Sequence, residues 1–256
     1  FYLDAAEAVV ELREGAPDVL TVLESLVDQS LLRTEAAEEL PDEVRVRFFS
    51  AVRERAAAEL ARPEPVHARH AAWMIEAAER WDAGIESRDE LEHTARLVIE
   101  LSNLEAAYEH SEGALRARLG LVLHMAYQRR GPFSRMSELV DEACDLAIGD
   151  DRLLGRAELA RARTHRWAND IDASEVALEA ALAAALRAGD VETEAGCARN
   201  RAANAYRRGD TEGLTAHLAH ALEAAERSGR VSDEVNARNG LGYLYAERGE
   251  EDRARE

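Results

Sequence analysis

The chain has 256 residues, 46% of them apolar and only 5% aromatic, with 51 acidic and 32 basic residues for a formal net charge of −19. The apolar content excludes a disordered chain, and the length allows one small domain plus a repeat array. All 32 basic residues are arginine, and the acidic balance argues against non-specific binding to nucleic acid or a membrane surface, both of which are polyanionic. No apolar run reaches the roughly eighteen residues of a membrane span and no signal peptide opens the chain, so a cytoplasmic location is expected. The chain starts at Phe1 and stops at "EEDRARE" inside a helical pattern, so it reads as a piece of a longer protein.

Residues 3–13, "LDAAEAVVELR", suit a short helix. Pro17 and Asp18 then open "PDVLTVLESLVDQSLL", where Val19, Leu20, Leu23, Leu26, Val27 and Leu31 form an apolar stripe at helical spacing. "LLRTE" is expected to turn into a strand, the polar "AAEELPDE" to act as a linker, and "VRVRFF" to form a second, half-solvated strand in which Val44, Val46 and Phe48 alternate with Arg45 and Arg47. "SAVRERAAAELA" returns to helix. This order over residues 1–62 suggests a winged-helix-like module. Its helix at 18–31 carries Asp18, Glu24 and Asp28 and no arginine, so a packing role is expected rather than direct nucleic-acid binding.

Pro63 and Pro65 mark a boundary. Residues 66–82 read as an amphipathic helix and 88–111 as one long helix or two short ones, so 66–112 are linking helices or a degenerate first repeat. Trp73 and Trp81 are expected to pack against neighbouring helices. His67 and His70, like His217 and His220, are three apart, but no further ligand completes a zinc site, so no metal is expected. Cys144 and Cys197 read as core thiols rather than a bridge.

From residue 113 onwards a period dominates. Gly149, Gly189 and Gly229 are forty apart. Asn169, Gly209 and Gly249 fall midway between them, and Gly131 lies two residues out of the same register. Counted from the midway turns, Val140, Leu178 and Leu218 lie nine residues on, and Ala143, Ala181 and Ala221 twelve on. His124, Ala162, Ala202 and Gly242 lie seven before. Small residues at facing positions let two helices approach closely, and Asp170 and Asp210 are placed to cap the helices after their turns. Helical sequence punctuated every twenty residues predicts stacked αα-hairpins, which bury together what none buries alone. The expected fold is mostly α: the small N-terminal module, then an α–α superhelix of hairpins over 113–256, truncated at its C-terminus. The first helices of such a stack line a concave face, and Arg161, His165, Arg201, Asn204 and Arg238 are the expected ligand contacts there, since guanidinium groups bind acidic groups through paired hydrogen bonds.

The last unit, "NARNGLGYLYAERGEEDRARE", resembles a tetratricopeptide repeat in its forty-residue form through Leu241, Gly242, Tyr245 and Ala254. Arg161 and Arg201 stand where Leu241 does. The order "VLESLVDQSLL", "VRFFSAVRERAAAEL", "ARHAAWMIEAAER", "LSNLEAAYEH" resembles the region after the nucleotide-binding core of STAND-type signalling ATPases, including bacterial transcriptional regulators with a winged-helix segment and tetratricopeptide repeats. "ELSNLEAAY" keeps Asn103, Leu104, Ala106 and Ala107 of that family's pattern without its acidic-histidine lead. The resemblance implies a non-catalytic sensor segment that binds a protein, peptide or small effector and contacts an upstream nucleotide-binding domain. No phosphate loop and no lysine occur in the chain, so neither cofactor nor catalytic residue is expected within it. A stand-alone repeat scaffold is the alternative, and a DNA-binding protein a third.

Overall fold

The computed structural model describes residues 1–37, 40–85, 89–229 and 231–254. They form two compact, mostly helical units, residues 1–115 and 116–256, and the first carries a two-stranded sheet.

The first unit runs α1 (Leu3–Val9), α2 (Val19–Asp28), β1 (Leu32–Ala37), β2 (Leu40–Phe48), α3 (Ser50–Glu59), α4 (Pro63–Gly84), α5 (Glu90–Ile99) and α6 (Leu101–Glu109). Helix α1 is shorter than its apolar pattern suggests, and Gly15, at φ +78°, turns the chain before α2. Asp18 caps α2 by accepting the Thr21 amide at 2.9 Å. Strands β1 and β2 pair antiparallel from Leu32↔Phe48 to Ala36↔Val44. Most of the expected polar linker therefore belongs to the hairpin, and Leu40 within it is buried; residues 38 and 39 lie outside the described residues.

Of the three alternating apolar residues on β2, only Val46 is buried, while Val44 and Phe48 are exposed. Arg45 reaches across to the junction of α5 and α6, donating to the Ile99 carbonyl and to Glu100 Oε1, each at 3.1 Å. Glu100 is 1% exposed, so its charge depends on that guanidinium. On the outer edge of β2, Phe1 and Val46 exchange both backbone hydrogen bonds, at 3.1 and 2.8 Å, the pattern of an antiparallel bonded pair.

Pro63 and Pro65 do not separate two bodies. They occupy the first turn of α4, where a missing amide costs no helical bond. Helix α4 packs against α1, α5 and α6 through Met74, Ile75, Ala77 and Ala78, all buried. The N-terminal module and the linking helices thus share one core.

The second unit holds the repeats: α7 (Gly113–Arg130), α8 (Met136–Leu146), α9 (Asp151–Trp167), α10 (Ile171–Ala188), α11 (Val191–Arg208), α12 (Thr211–Ser228), α13 (Val231–Glu247) and α14 (Glu251–Ala254), with a short 3-10 turn before α8. Helices start at 151, 171, 191, 211, 231 and 251. Each helix packs on the next from α8 to α14, and α9 also touches α11, so successive hairpins stack.

Local chemistry sets this rhythm. All seven turn positions read from the sequence have positive φ, between +63° and +96°. Six are glycine; the seventh, Asn169, is the residue type that best tolerates the left-handed region after glycine. Asp150, Asp170, Asp190 and Asp210 each accept the amide three residues on, at 2.9 to 3.3 Å, each cap contributing about 1 kcal/mol. Most docking positions are buried as expected: Val140, Leu178, Leu218, Ala143, Ala181 and Ala221 on second helices, and His124, Ala162 and Ala202 on first helices, while Gly242 in the last hairpin is half-buried. Leu159, Ala162, Ala177, Leu178, Ala181 and Cys197 form one such cluster across α9, α10 and α11. Gly196 completes it, because a Cβ there would stand 2.7 Å from the Leu159 side chain.

His124 departs from the small-residue pattern. It is fully buried, with Nε2 2.8 Å from Thr164 Oγ1 on α9, and burial, with Arg163 nearby, pushes its pKa down from 6.5 to about 4. Between those two values the unfolded chain takes up a proton that the folded chain refuses. The contribution of the neutral ring is therefore full above about pH 6.5 and lost as pH falls toward 4, on the order of 3 kcal/mol in all. Urea unfolding of wild type and His124→Gln across that range should show the stability difference shrinking with falling pH; a pH-independent difference would contradict this assignment.

Candidate functional site

The second unit presents a groove of about 520 Å³ lined by the first helices of three successive hairpins and closed beneath by α12. Helix α11 contributes Arg199, Ala203, Tyr206 and Arg207, and α13 contributes Asn236, Gly240, Tyr243 and Glu247, in each case one helical face at spacings of three and four. Arg166 enters from the end of α9. Leu214 and Leu218 of α12 form the floor with Ala202 and Leu244. A Cβ on Gly240 would stand 2.9 Å from the Leu218 side chain, so glycine there brings α13 close to α12.

Two features distinguish this surface. Tyr206 and Tyr243 are 71% and 68% exposed, in a chain with few aromatic residues. The three guanidinium groups also differ in their partners. Arg199 is paired with Asp233 at 2.7 Å, whereas Arg207 Nη1 donates to neutral acceptors, the Arg166 carbonyl at 3.0 Å and Asn169 Oδ1 at 3.1 Å. Arg166 is half-buried, and its Nε is buried without a hydrogen-bond acceptor. Burial first, and then the neighbouring Arg207 charge, hold its pKa below the ordinary arginine value.

None of the five contacts expected from the sequence lines this groove. Asn204 is fully buried and donates to Ser174 Oγ and Glu175 Oε1 on α10, at 3.1 and 2.7 Å. Arg201 lies 3.7 Å from the same Glu175. Arg161 pairs with Glu158 at 2.6 Å, and Arg238 with Glu226 and Glu234 at 3.0 and 2.9 Å. His165 is half-buried. Arg201, Asn204 and Arg238 thus face the second helix of the preceding hairpin. The period held a better signal. Arg166 and Tyr206 share one lattice position forty apart, Ala203 and Tyr243 another, and Trp167, Arg207 and Glu247 a third.

The remaining chemistry-bearing residues are built into the packing. Cys144 and Cys197 are buried, unbridged thiols whose pKa values burial raises to about 12, far from a nucleophile's range. His67 stacks on His110 with ring centroids 3.7 Å apart. His220 Nε2 lies 3.0 Å from Glu194 Oε1, which Arg227 also binds. Trp73 and Trp81 meet edge to face at 6.2 Å. Among the described residues no cluster of three metal-ligating side chains occurs, and no helix is long and apolar enough to cross a membrane. A second, nearly all-apolar cavity of about 330 Å³ lies in the first unit between α1, α2, the hairpin and α4, with His70 and Asn103 as its polar edge.

Because Arg161 compensates a nearly buried Glu158, Arg161→Ala should lower stability by about 2 kcal/mol, measured by urea unfolding, while leaving ligand binding in the groove unchanged. Lost binding with unchanged stability would return Arg161 to the ligand surface.

No protein-family model matches the chain, and no curated protein matches it in sequence. Among solved structures it is similar to BtubC (BKLC) from P. vanneervenii, with a TM-score of 0.53 and 14% identity over 74% of this chain and 87% of that one. At that identity the likeness is one of fold.

Proposed function

We propose that the chain is a non-catalytic regulatory or sensor segment whose repeat groove binds an extended segment of a partner protein. The groove carries this reading: a concave surface floored by Leu214, Leu218 and Leu244, with two exposed tyrosines and fixed polar groups around it. Exposed aromatic rings beside apolar pockets supply most of the energy in peptide recognition, because they are large, rigid and lose little entropy on binding.

The first unit supports the wider reading that this sensor belongs to a winged-helix and tetratricopeptide-repeat arm of a STAND-type signalling ATPase or transcriptional regulator. Two helices precede a two-stranded hairpin, and a further strand-like pairing at Phe1 lies on the outer edge of β2, an arrangement that fits a winged-helix-like sheet. Helix α2 exposes Glu24 and Asp28 and starts at Asp18, which favours a structural role for this module over contact with phosphates.

Peptide-display selection on the whole chain should yield a consensus whose binding Tyr206→Ala/Tyr243→Ala weakens at least about tenfold; unchanged affinity in that variant would refute the groove. The ATPase relationship is tested separately by the coding sequence on the N-terminal side of Phe1. A nucleotide-binding core with a phosphate loop there supports it, and unrelated sequence removes it.

A further inference from the structure

We propose that the groove contains a built anion subsite, formed by Arg166 and Arg207, that takes a carboxylate or phosphate group on the bound peptide. This rests on the peptide-groove reading above and specifies the chemistry of its occupant.

Arg166 lies in the last turn of α9 and Arg207 in the last turn of α11, and both line the groove. Arg207 hydrogen-bonds the carbonyl of Arg166 itself, so the two residues are held as neighbours rather than meeting by chance of rotamer. Neither guanidinium has a carboxylate within 4.0 Å among the described residues, although the chain has 51 acidic side chains and places carboxylates beside Arg161, Arg199, Arg201, Arg208, Arg227 and Arg238. Arginine offers five N–H donors. Those of Arg207 that are engaged meet neutral acceptors, and the Nε–H of Arg166 is buried with no acceptor. Two like charges brought together with a buried donor left unmet form an arrangement that an incoming anion would stabilise. The anion would accept charge-assisted hydrogen bonds and remove the mutual repulsion.

The setting fixes the surroundings and the direction of the bound anion. Tyr206 stands next to Arg207 in the chain and is among the most exposed aromatic residues of the unit. Trp167 adjoins Arg166, is 58% exposed, and lies against Phe133 in a tilted ring pair with centroids 6.2 Å apart. A bound acidic group would therefore be flanked by rings that cover apolar neighbours. Glu247 lines the groove from α13, so the surface changes from positive at α9 and α11 to negative at α13. An extended ligand would accordingly be read in one direction, with its acidic group over Arg166 and Arg207.

The test uses fluorescein-labelled dodecapeptide pools, random except for a central Asp, phosphoserine, Ser or Arg, all with amidated C-termini, and a fifth pool with central Ser and a free C-terminal carboxylate. Fluorescence anisotropy with the whole chain should show at least one of the three anionic pools binding about tenfold tighter than the amidated Ser pool, and the Arg pool weakest. Which pool leads identifies the source of the anion: an acidic side chain, a phosphorylated residue or a chain terminus. Arg166→Gln/Arg207→Gln should abolish the preference while keeping the binding seen with Ser. Arg166→Gln alone retains the Arg207 hydrogen bonds, and circular dichroism melts confirm that both variants fold. If Tyr206→Ala/Tyr243→Ala removes binding but the anionic pools bind no better than Ser, or if their advantage survives the arginine replacements, the groove stands and the anion subsite is wrong. If no pool binds in a tyrosine-dependent way, the groove reading falls and takes the subsite with it.

Discussion

Close approach between alanine faces is the constraint on which the repeat unit depends. Ala157, Ala162, Ala181, Ala184, Ala195, Ala221, Ala224 and Ala237 are all at most 1% exposed, and each buries too little area alone to hold a helix in place. Held together at short interhelical distance they make a continuous core, but only if every helix arrives in phase. The phase is set by a left-handed residue and an aspartate cap at successive turns. A shift of one residue in the turns before the first helices would present a charged side chain where a methyl group is required, as Arg156 or Glu158 at Ala157 and Arg161 or Arg163 at Ala162. The forty-residue period is thus a packing requirement rather than a decorative regularity.

The same constraint makes the groove. Because the buried faces of the first helices are occupied by alanine and glycine, the helices lie close, and their larger side chains must point elsewhere. On α11 and α13 that leaves arginines, tyrosines and an asparagine on one face. A surface of this kind repeats in position but not in chemistry: Arg166 becomes Tyr206, Ala203 becomes Tyr243, and Arg207 becomes Glu247. Repetition fixes the spacing of the contacts, and the substitutions within it give the groove its polarity.

How far the sequence could be read follows from what each feature depends on. The turns, caps and docking residues of 113–256 are local and periodic, so Gly189, Asp210 and Ala221 could be placed from the chain alone. The ligand face could not, because several polar positions on a helix look alike until the neighbouring helices are in place. Asn204 resembles a surface residue in sequence, yet Ser174 and Glu175 of α10 make it a buried polar contact. The N-terminal unit was less legible still. Its core joins α1 to α4 across more than fifty residues, and Arg45 meets Glu100 at a sequence separation of 55, pairings that carry no local signature.

The most direct test of the account is site-specific photo-crosslinking to the tightest peptide from a display selection. A benzophenone amino acid is placed at Tyr206 in the groove or, as control, at Val176, which is 68% exposed on the second helix α10. Adducts formed from position 206 and absent from 176 are the predicted result. Equal labelling at both, or labelling at 176 alone, would contradict recognition by the first-helix groove.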